Sequence, residues 1–122
     1  MTGATLTRPQ TPLADLATRL TRLGLLDRVP DLAGAPDYQG VTWSLEPTRP
    51  GDLHINLLGA KRAPAAVRRA VLDGAVAVCW SKPNAELVEE LRAQGVPVLG
   101  VNDERRAMSL SSALLHGFPS KD

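Results

Sequence analysis

The side chains with the most chemical potential in this 122-residue chain are few and scattered. Lys61 and Arg62 stand side by side in the run Gly59-Ala60-Lys61-Arg62-Ala63-Pro64. A guanidinium forks onto two oxygens and an ammonium adds a point charge, so this pair suits a diphosphate; a solvated basic loop has the same composition. His54 and Asn56 alternate with Leu53, Ile55 and Leu57, which places both polar residues on one strand face. That face either lines a polar pocket or meets water on a half-exposed sheet. Cys79 is the single cysteine and forms no internal disulfide. Set in the apolar run Ala75–Trp80, it reads as a small buried hydrophobe, not a reactive thiol. Two histidines and one cysteine, far apart, lack the spacing of a metal site. Neither G-x-x-x-x-G-K-[ST] nor G-x-G-x-x-G occurs, and no Ser/His/Asp set has the spacing of a nucleophile motif. These residues point to a chain that binds and does not itself catalyse.

The elements that must position them centre on Gly51–Trp80, which reads as strand, loop, helix, strand. Pro64 suits the first helical position, where no backbone N–H is needed. Val67, Ala70 and Val71 fall on one side of that helix, and Arg68, Arg69 and Asp73 on the other. Gly74 ends it. Ala75–Trp80 is continuously apolar, as in a strand covered on both faces. Upstream, residues 1–10 lack periodicity and read as a flexible tail. Thr11-Pro12 predicts an N-cap and a first-position proline; Leu13, Leu16, Ala17, Leu20 and Leu23 then recur at helical spacing up to Gly24. Leu25 and Leu26 are expected to tuck under the domain. Asp27–Gln39 reads as an irregular connection, Val41–Leu45 as a short strand and Glu46–Gly51 as a turn. Downstream, Ser81-Lys82-Pro83 opens a helix with the stripe Leu87, Val88 and Leu91, ending at Gly95. Val96–Val101 is a strand. Asn102 or Asp103 caps a last helix whose Ala107, Leu110 and Leu114 face inward, with Gly117 and Pro119 as its stop and His116 near its negative end. The alternation predicts a small α/β domain, three-layer-like, with a mostly parallel sheet of about four to five strands flanked by helices.

Composition narrows the partners. A formal net charge of +1 gives no electrostatic case for nucleic acid or a membrane surface. Aromatic residues make up 3% of the chain, too few for a platform on which bases stack. No apolar run is long enough to span a bilayer, and the N-terminus lacks the apolar core of a signal peptide. A single buried cysteine fits a reducing cytoplasm.

Four stretches in order resemble the N-terminal domain of the Mur ligases, the ATP-dependent amide ligases of peptidoglycan precursor synthesis. Pro50-Gly51-Asp52-Leu53, closing at Gly59, resembles that family's P-G-D-L-F-x-A-x-x-G segment. Ala70 with Gly74-Ala75-Val76-Ala77-Val78 resembles its A-x-x-x-G-A-x-A-V join. Val96-Pro97-Val98 with Val101, Asp103 and Arg106-Ala107 resembles V-P-V-I-x-V-x-D-x-R-x-A, and Leu115–Lys121 resembles the Y-x-x-P-S-x-x-L that leads to the ATP-binding domain. The nearest type is UDP-N-acetylmuramoyl-tripeptide synthetase, which adds the third residue.

The resemblance implies that residues 11–122 form a substrate-binding domain holding the uridine and diphosphate end of UDP-N-acetylmuramoyl-dipeptide. It implies no catalysis by this chain alone and no cofactor in it. ATP and magnesium would belong to the full-length ligase, whose central ATP-binding domain would be the partner, in the cytoplasm. The family's T-x-D-S-R appears here as Thr42-Trp43-Ser44-Leu45-Glu46, so Leu45 replaces the serine and Glu46 the arginine. By the resemblance, substrate contacts would come from Trp43, Ser44 and Leu45 and from Ala60, Lys61 and Arg62. Ser44 would reach a phosphate and Trp43 the uracil ring, unless Trp43 is core. The alternatives are a protein-docking module derived from such a domain, and the first domain of the related ligase that adds D-Ala-D-Ala.

Overall fold

The computed structural model describes residues 11–28, 32, 35–43, 47–59 and 61–115. In chain order these form α1 (Leu13–Arg22), β1 (Leu26–Arg28), β2 (Gly40–Trp43), β3 (Asp52–Ile55), α2 (Ala63–Leu72), β4 (Ala77–Trp80), α3 (Ala85–Ala93), β5 (Val98–Val101) and α4 (Glu104–Leu115). The five strands make one sheet in the order β1-β5-β4-β3-β2. β2 to β5 run parallel, and β1 joins β5 antiparallel. The residues expected as tail (1–10) and as the last helical stop (Gly117, Pro119) lie outside the described residues, as does His116.

Side-chain alternation sorts the core into two layers. Leu53, Ile55, Ala77, Cys79, Leu99 and Val101 pack with Leu16 and Leu20 of α1 and Ala107 and Leu115 of α4. Val78, Trp80 and Val98 point the other way, onto Val67 of α2 and Leu87 and Leu91 of α3. Strand residues therefore bury both faces, as the continuous apolar run in β4 predicts. This is the expected three-layer α/β arrangement with a mostly parallel sheet.

Several local expectations are corrected. Thr11 does not cap α1; it exchanges two backbone hydrogen bonds with Tyr38, each 2.9 Å, and Pro12 takes the cap position. β1 falls within a stretch read as a tuck and an irregular loop. It is only three residues long, too short to show alternation, and it forms because β5 offers it an edge. Asn102 reinforces that contact: its N–H donates to Leu25 O at 3.0 Å and its Nδ2 to Gly24 O at 2.8 Å. Capping of α4 falls to Asp103, whose Oδ1 accepts from Arg106 N–H at 3.1 Å. On α4 Ala107 is fully buried and Leu110 and Leu114 pack half-buried against the same core, as expected, while the polar Ser111 is fully buried beside them.

The connection from β2 to β3 is not a hairpin turn. The strands are parallel, and among the described residues of the connection, 47–51, none is helical. Thr42 Oγ1 and Thr48 Oγ1 lie 3.5 Å apart, which lays the return over the Thr42 side of β2. A tight turn does form at its end: Asp52 N–H donates to Arg49 O, and Arg49 N–H to Asp52 Oδ2 at 2.9 Å.

α3 begins one residue after Asn84, whose Oδ1 accepts from Leu87 N–H at 3.0 Å. Asn84→Ala leaves that N–H without its cap and is expected to cost about 1 kcal/mol, read from the urea midpoint at unchanged slope.

Candidate functional site

The parallel strands β2 and β3 end side by side, Trp43 opposite Ile55. Ligands of open α/β sheets bind outside such carboxyl ends, so this rim is the place to look. Trp43 is 37% exposed there, so it is not a fully buried core residue. Ser44 and Leu45, which follow it, lie outside the described residues, as does Ala60.

Beyond β3 the chain is pinned before it reaches the basic pair. Asn56 Nδ2 donates to Leu58 O at 3.2 Å and Leu58 N–H donates to Asn56 Oδ1 at 3.3 Å, a local turn built by one side chain. Gly59 O then accepts from Arg62 N–H (3.1 Å) and Ala63 N–H (3.0 Å), closing the loop onto the start of α2. Lys61 and Arg62 are both exposed, and Arg62 is the N-cap residue of α2. The first turn of α2 carries no acidic side chain, so the cations stand at the positive end of the helix dipole with no counter-charge from that turn. Ala63 is fully buried and Pro64 sits within the first turn, so the loop's free portion is shorter than the sequence suggests. The sheet thus brings the end of β2 and the β3–α2 loop to one rim.

His54 and Asn56 overturn the half-exposed strand face: each is 1% exposed. His54 stands between Thr42 and Val78 in the sheet register, on the α2 side. Among the described residues neither ring nitrogen has a hydrogen-bond partner, and burial pulls its pKa down to about 4. It is a neutral core imidazole and not a rim ligand. Cys79 is fully buried and burial raises its thiol to about 12, so it is no nucleophile at neutral pH. Among the described residues no group of three His, Cys, Asp or Glu could hold a metal ion.

Further along the carboxyl ends, at β4 and β5, a cleft of about 310 Å³ is lined by Ser81, Ala85, Val88, Gly100 and the carboxylates of Asp27 and Glu89. Its charge opposes a diphosphate. Of the residues implied by the resemblance, the described ones (Trp43, Lys61 and Arg62) do not line it.

Two of the four resembling stretches meet at the opposite end of the strands. Gly51 N–H donates to Gly74 O at 2.9 Å, and Val76 N–H donates to Asp52 O at 2.9 Å. A Cβ on Gly74 would lie 2.6 Å from Pro50 Cα. Pro50-Gly51-Asp52 and Gly74-Ala75-Val76 are therefore a packing joint at the amino ends of β3 and β4.

With this geometry in place, two curated relatives share one name, UDP-N-acetylmuramoyl-L-alanyl-D-glutamate--2,6-diaminopimelate ligase. That of Streptomyces coelicolor is 37% identical over 113 residues, 92% of this chain and 20% of that protein. That of Streptomyces avermitilis is 35% identical over 117 residues, again 92% of this chain and 20% of the relative. This chain is similar to part of a Mur ligase. It spans about a fifth of the length of the curated relatives it matches. No family model matches the chain, and no solved structure does. Among the described residues no helix is long and apolar enough to cross a membrane.

Proposed function

We propose that this chain is the N-terminal, substrate-holding domain of a Mur-type ligase that adds the third residue to UDP-N-acetylmuramoyl-dipeptide. The observation that carries the reading is the 37% identity across 92% of the chain to a ligase whose name contains that UDP-linked dipeptide. The α/β sheet with Lys61 and Arg62 at its carboxyl rim supports it. In this reading Trp43, Ser44 and Leu45 and the Ala60–Arg62 loop hold the uridine and diphosphate. ATP and magnesium belong to the ligase's central domain, where the D-glutamyl carboxylate becomes an acyl phosphate and the amine of the third residue attacks it. Binding energy from a remote nucleotide handle positions that carboxylate without joining the chemistry. The setting is the cytoplasm, and the third residue of the relatives, by their names, is 2,6-diaminopimelate.

An NMR titration of the chain with UDP-N-acetylmuramoyl-L-alanyl-D-glutamate, with UMP and ATP as comparisons, tests this. Saturable shifts at Trp43–Leu45 and Ala60–Arg62 are expected from the UDP compound and not from ATP. Removing both charges, Lys61→Ala with Arg62→Ala, is expected to weaken binding by about tenfold or more, since each is a charge-assisted contact. Absence of any shift at millimolar ligand sinks the reading for the isolated chain. A second reading, a docking module, draws on Leu45 and Glu46, which replace the serine and arginine of the resembling motif.

A further inference from the structure

Asn56 follows the last residue of β3 and is fully buried. A buried amide is costly unless its hydrogen bonds are made. The backbone N–H of Asn56 donates to Cys79 O at 2.9 Å, which fixes the residue to β4. Its side chain turns forward along the chain. Oδ1 accepts from Leu58 N–H and Nδ2 donates to Leu58 O, so one amide group takes both backbone groups of Leu58. Inside a sheet a neighbouring strand would do this; beyond the end of β3 a side chain does it.

The hold passes to the basic pair through short links. Leu57 and Leu58 pack on opposite core layers, so the chain is gripped from both faces of the sheet. Gly59 O then accepts from Arg62 N–H and Ala63 N–H. Lys61 and Arg62 are exposed, so the path of their backbone decides what their charges can reach. Asn56 stands where the segment P-G-D-L-F-x-A-x-x-G has alanine, so the resemblance does not supply these two side-chain bonds.

We infer that Asn56 is a positioning residue: its side chain holds the loop carrying Lys61 and Arg62 in the conformation that presents both cations to an anionic ligand. That the anion is a diphosphate rests on the function proposed above; the hold on the loop does not. A loop ordered before binding spares the complex the cost of ordering it. The two bonds, at 3.2 and 3.3 Å, are at or just beyond the long end of the usual range, so the effect is moderate and not all-or-none.

Amide exchange, backbone NMR relaxation and ligand titration of Asn56→Ala and Asn56→Ser test it. Without ligand, Asn56→Ala is expected to exchange Leu58 N–H about fivefold faster or more, with Cys79 N–H unchanged. The backbone order of Lys61 and Arg62 should fall with it. Serine keeps an oxygen that can accept from the N–H two positions on, so Asn56→Ser should recover part of that order. With UDP-N-acetylmuramoyl-L-alanyl-D-glutamate, Asn56→Ala should weaken binding about fivefold in the unsubstituted background. In the Lys61→Ala, Arg62→Ala background it should not, because that loop has no cations to present. Unchanged order at Lys61 and Arg62 in Asn56→Ala overturns the inference. Equal weakening in both backgrounds also overturns it, and makes Asn56 a general support of the fold. If the unsubstituted chain does not bind the UDP compound, the proposed function falls, while the ligand-free order of Lys61 and Arg62 still decides whether Asn56 holds the loop.

Discussion

His54→Leu is expected to flatten the acid limb of this protein's stability curve. The imidazole is 1% exposed, and among the described residues neither nitrogen is hydrogen-bonded, so the folded chain holds it neutral. Its pKa falls to about 4 from an ordinary 6.5. Between those values the unfolded chain takes up a proton that the folded chain refuses. Stability is therefore complete above pH 6.5 and declines as pH falls toward 4. The gap corresponds to roughly 3 kcal/mol, a large share of the 5–15 kcal/mol that a domain of about this size possesses. Urea unfolding at pH 7 and about pH 4.5 reads the effect, and His54→Leu should remove most of the difference. At pH 7 the variant should also gain about 1–2 kcal/mol, because it no longer buries an unpaired polar ring. An unchanged pH dependence in His54→Leu would show that another group carries the acid sensitivity.

Gly74→Ala is expected to be the most damaging small substitution in the sheet. Gly74 has φ +109, a conformation that side chains disfavour, and its new Cβ would lie 2.6 Å from the Pro50 backbone. That atom belongs to the main chain and cannot rotate away. Relief requires opening the joint in which Gly51 N–H donates to Gly74 O and Val76 N–H to Asp52 O. A loss of about 3 kcal/mol or more in the urea midpoint is expected, combining the backbone strain with the clash. Gly24→Ala supplies the control. Gly24 also has positive φ, +71, but nothing lies within 4 Å of an added Cβ. It should lose only about 1–2 kcal/mol, the conformational part alone. Equal losses at the two glycines would mean that the Pro50 contact yields easily.

The same joint explains why a resemblance carried by Pro50-Gly51-Asp52 and Gly74-Ala75-Val76 informs on fold more than on ligand. These residues sit at the amino ends of β3 and β4, away from the carboxyl rim. Leu45 and Glu46, where this chain departs from the resembling pattern, follow β2 in the sequence and lie outside the described residues.

The amino-acid sequence by itself determined the order of the elements around the central unit. Helices and buried strands announce themselves through local spacing: Val67 and Ala70 on α2, Leu87 and Leu91 on α3, the unbroken Ala77–Trp80 of β4. It also placed the two exposed cations, because Gly59 and Pro64 bracket a loop. Only the tertiary structure decided what distant partners impose. β1 exists because β5 pairs with it. Thr11 leaves its capping role for Tyr38, and Tyr38 in turn donates its hydroxyl to Ser111 O at 2.8 Å, 73 positions away. His54 and Asn56 alternate like residues of a half-wet strand, yet they are buried because β3 lies between two neighbours and beneath a covered face. Period and punctuation are local quantities that a sequence displays. Burial on the second face of a strand depends on which remote segment lies across it, and no local pattern encodes that.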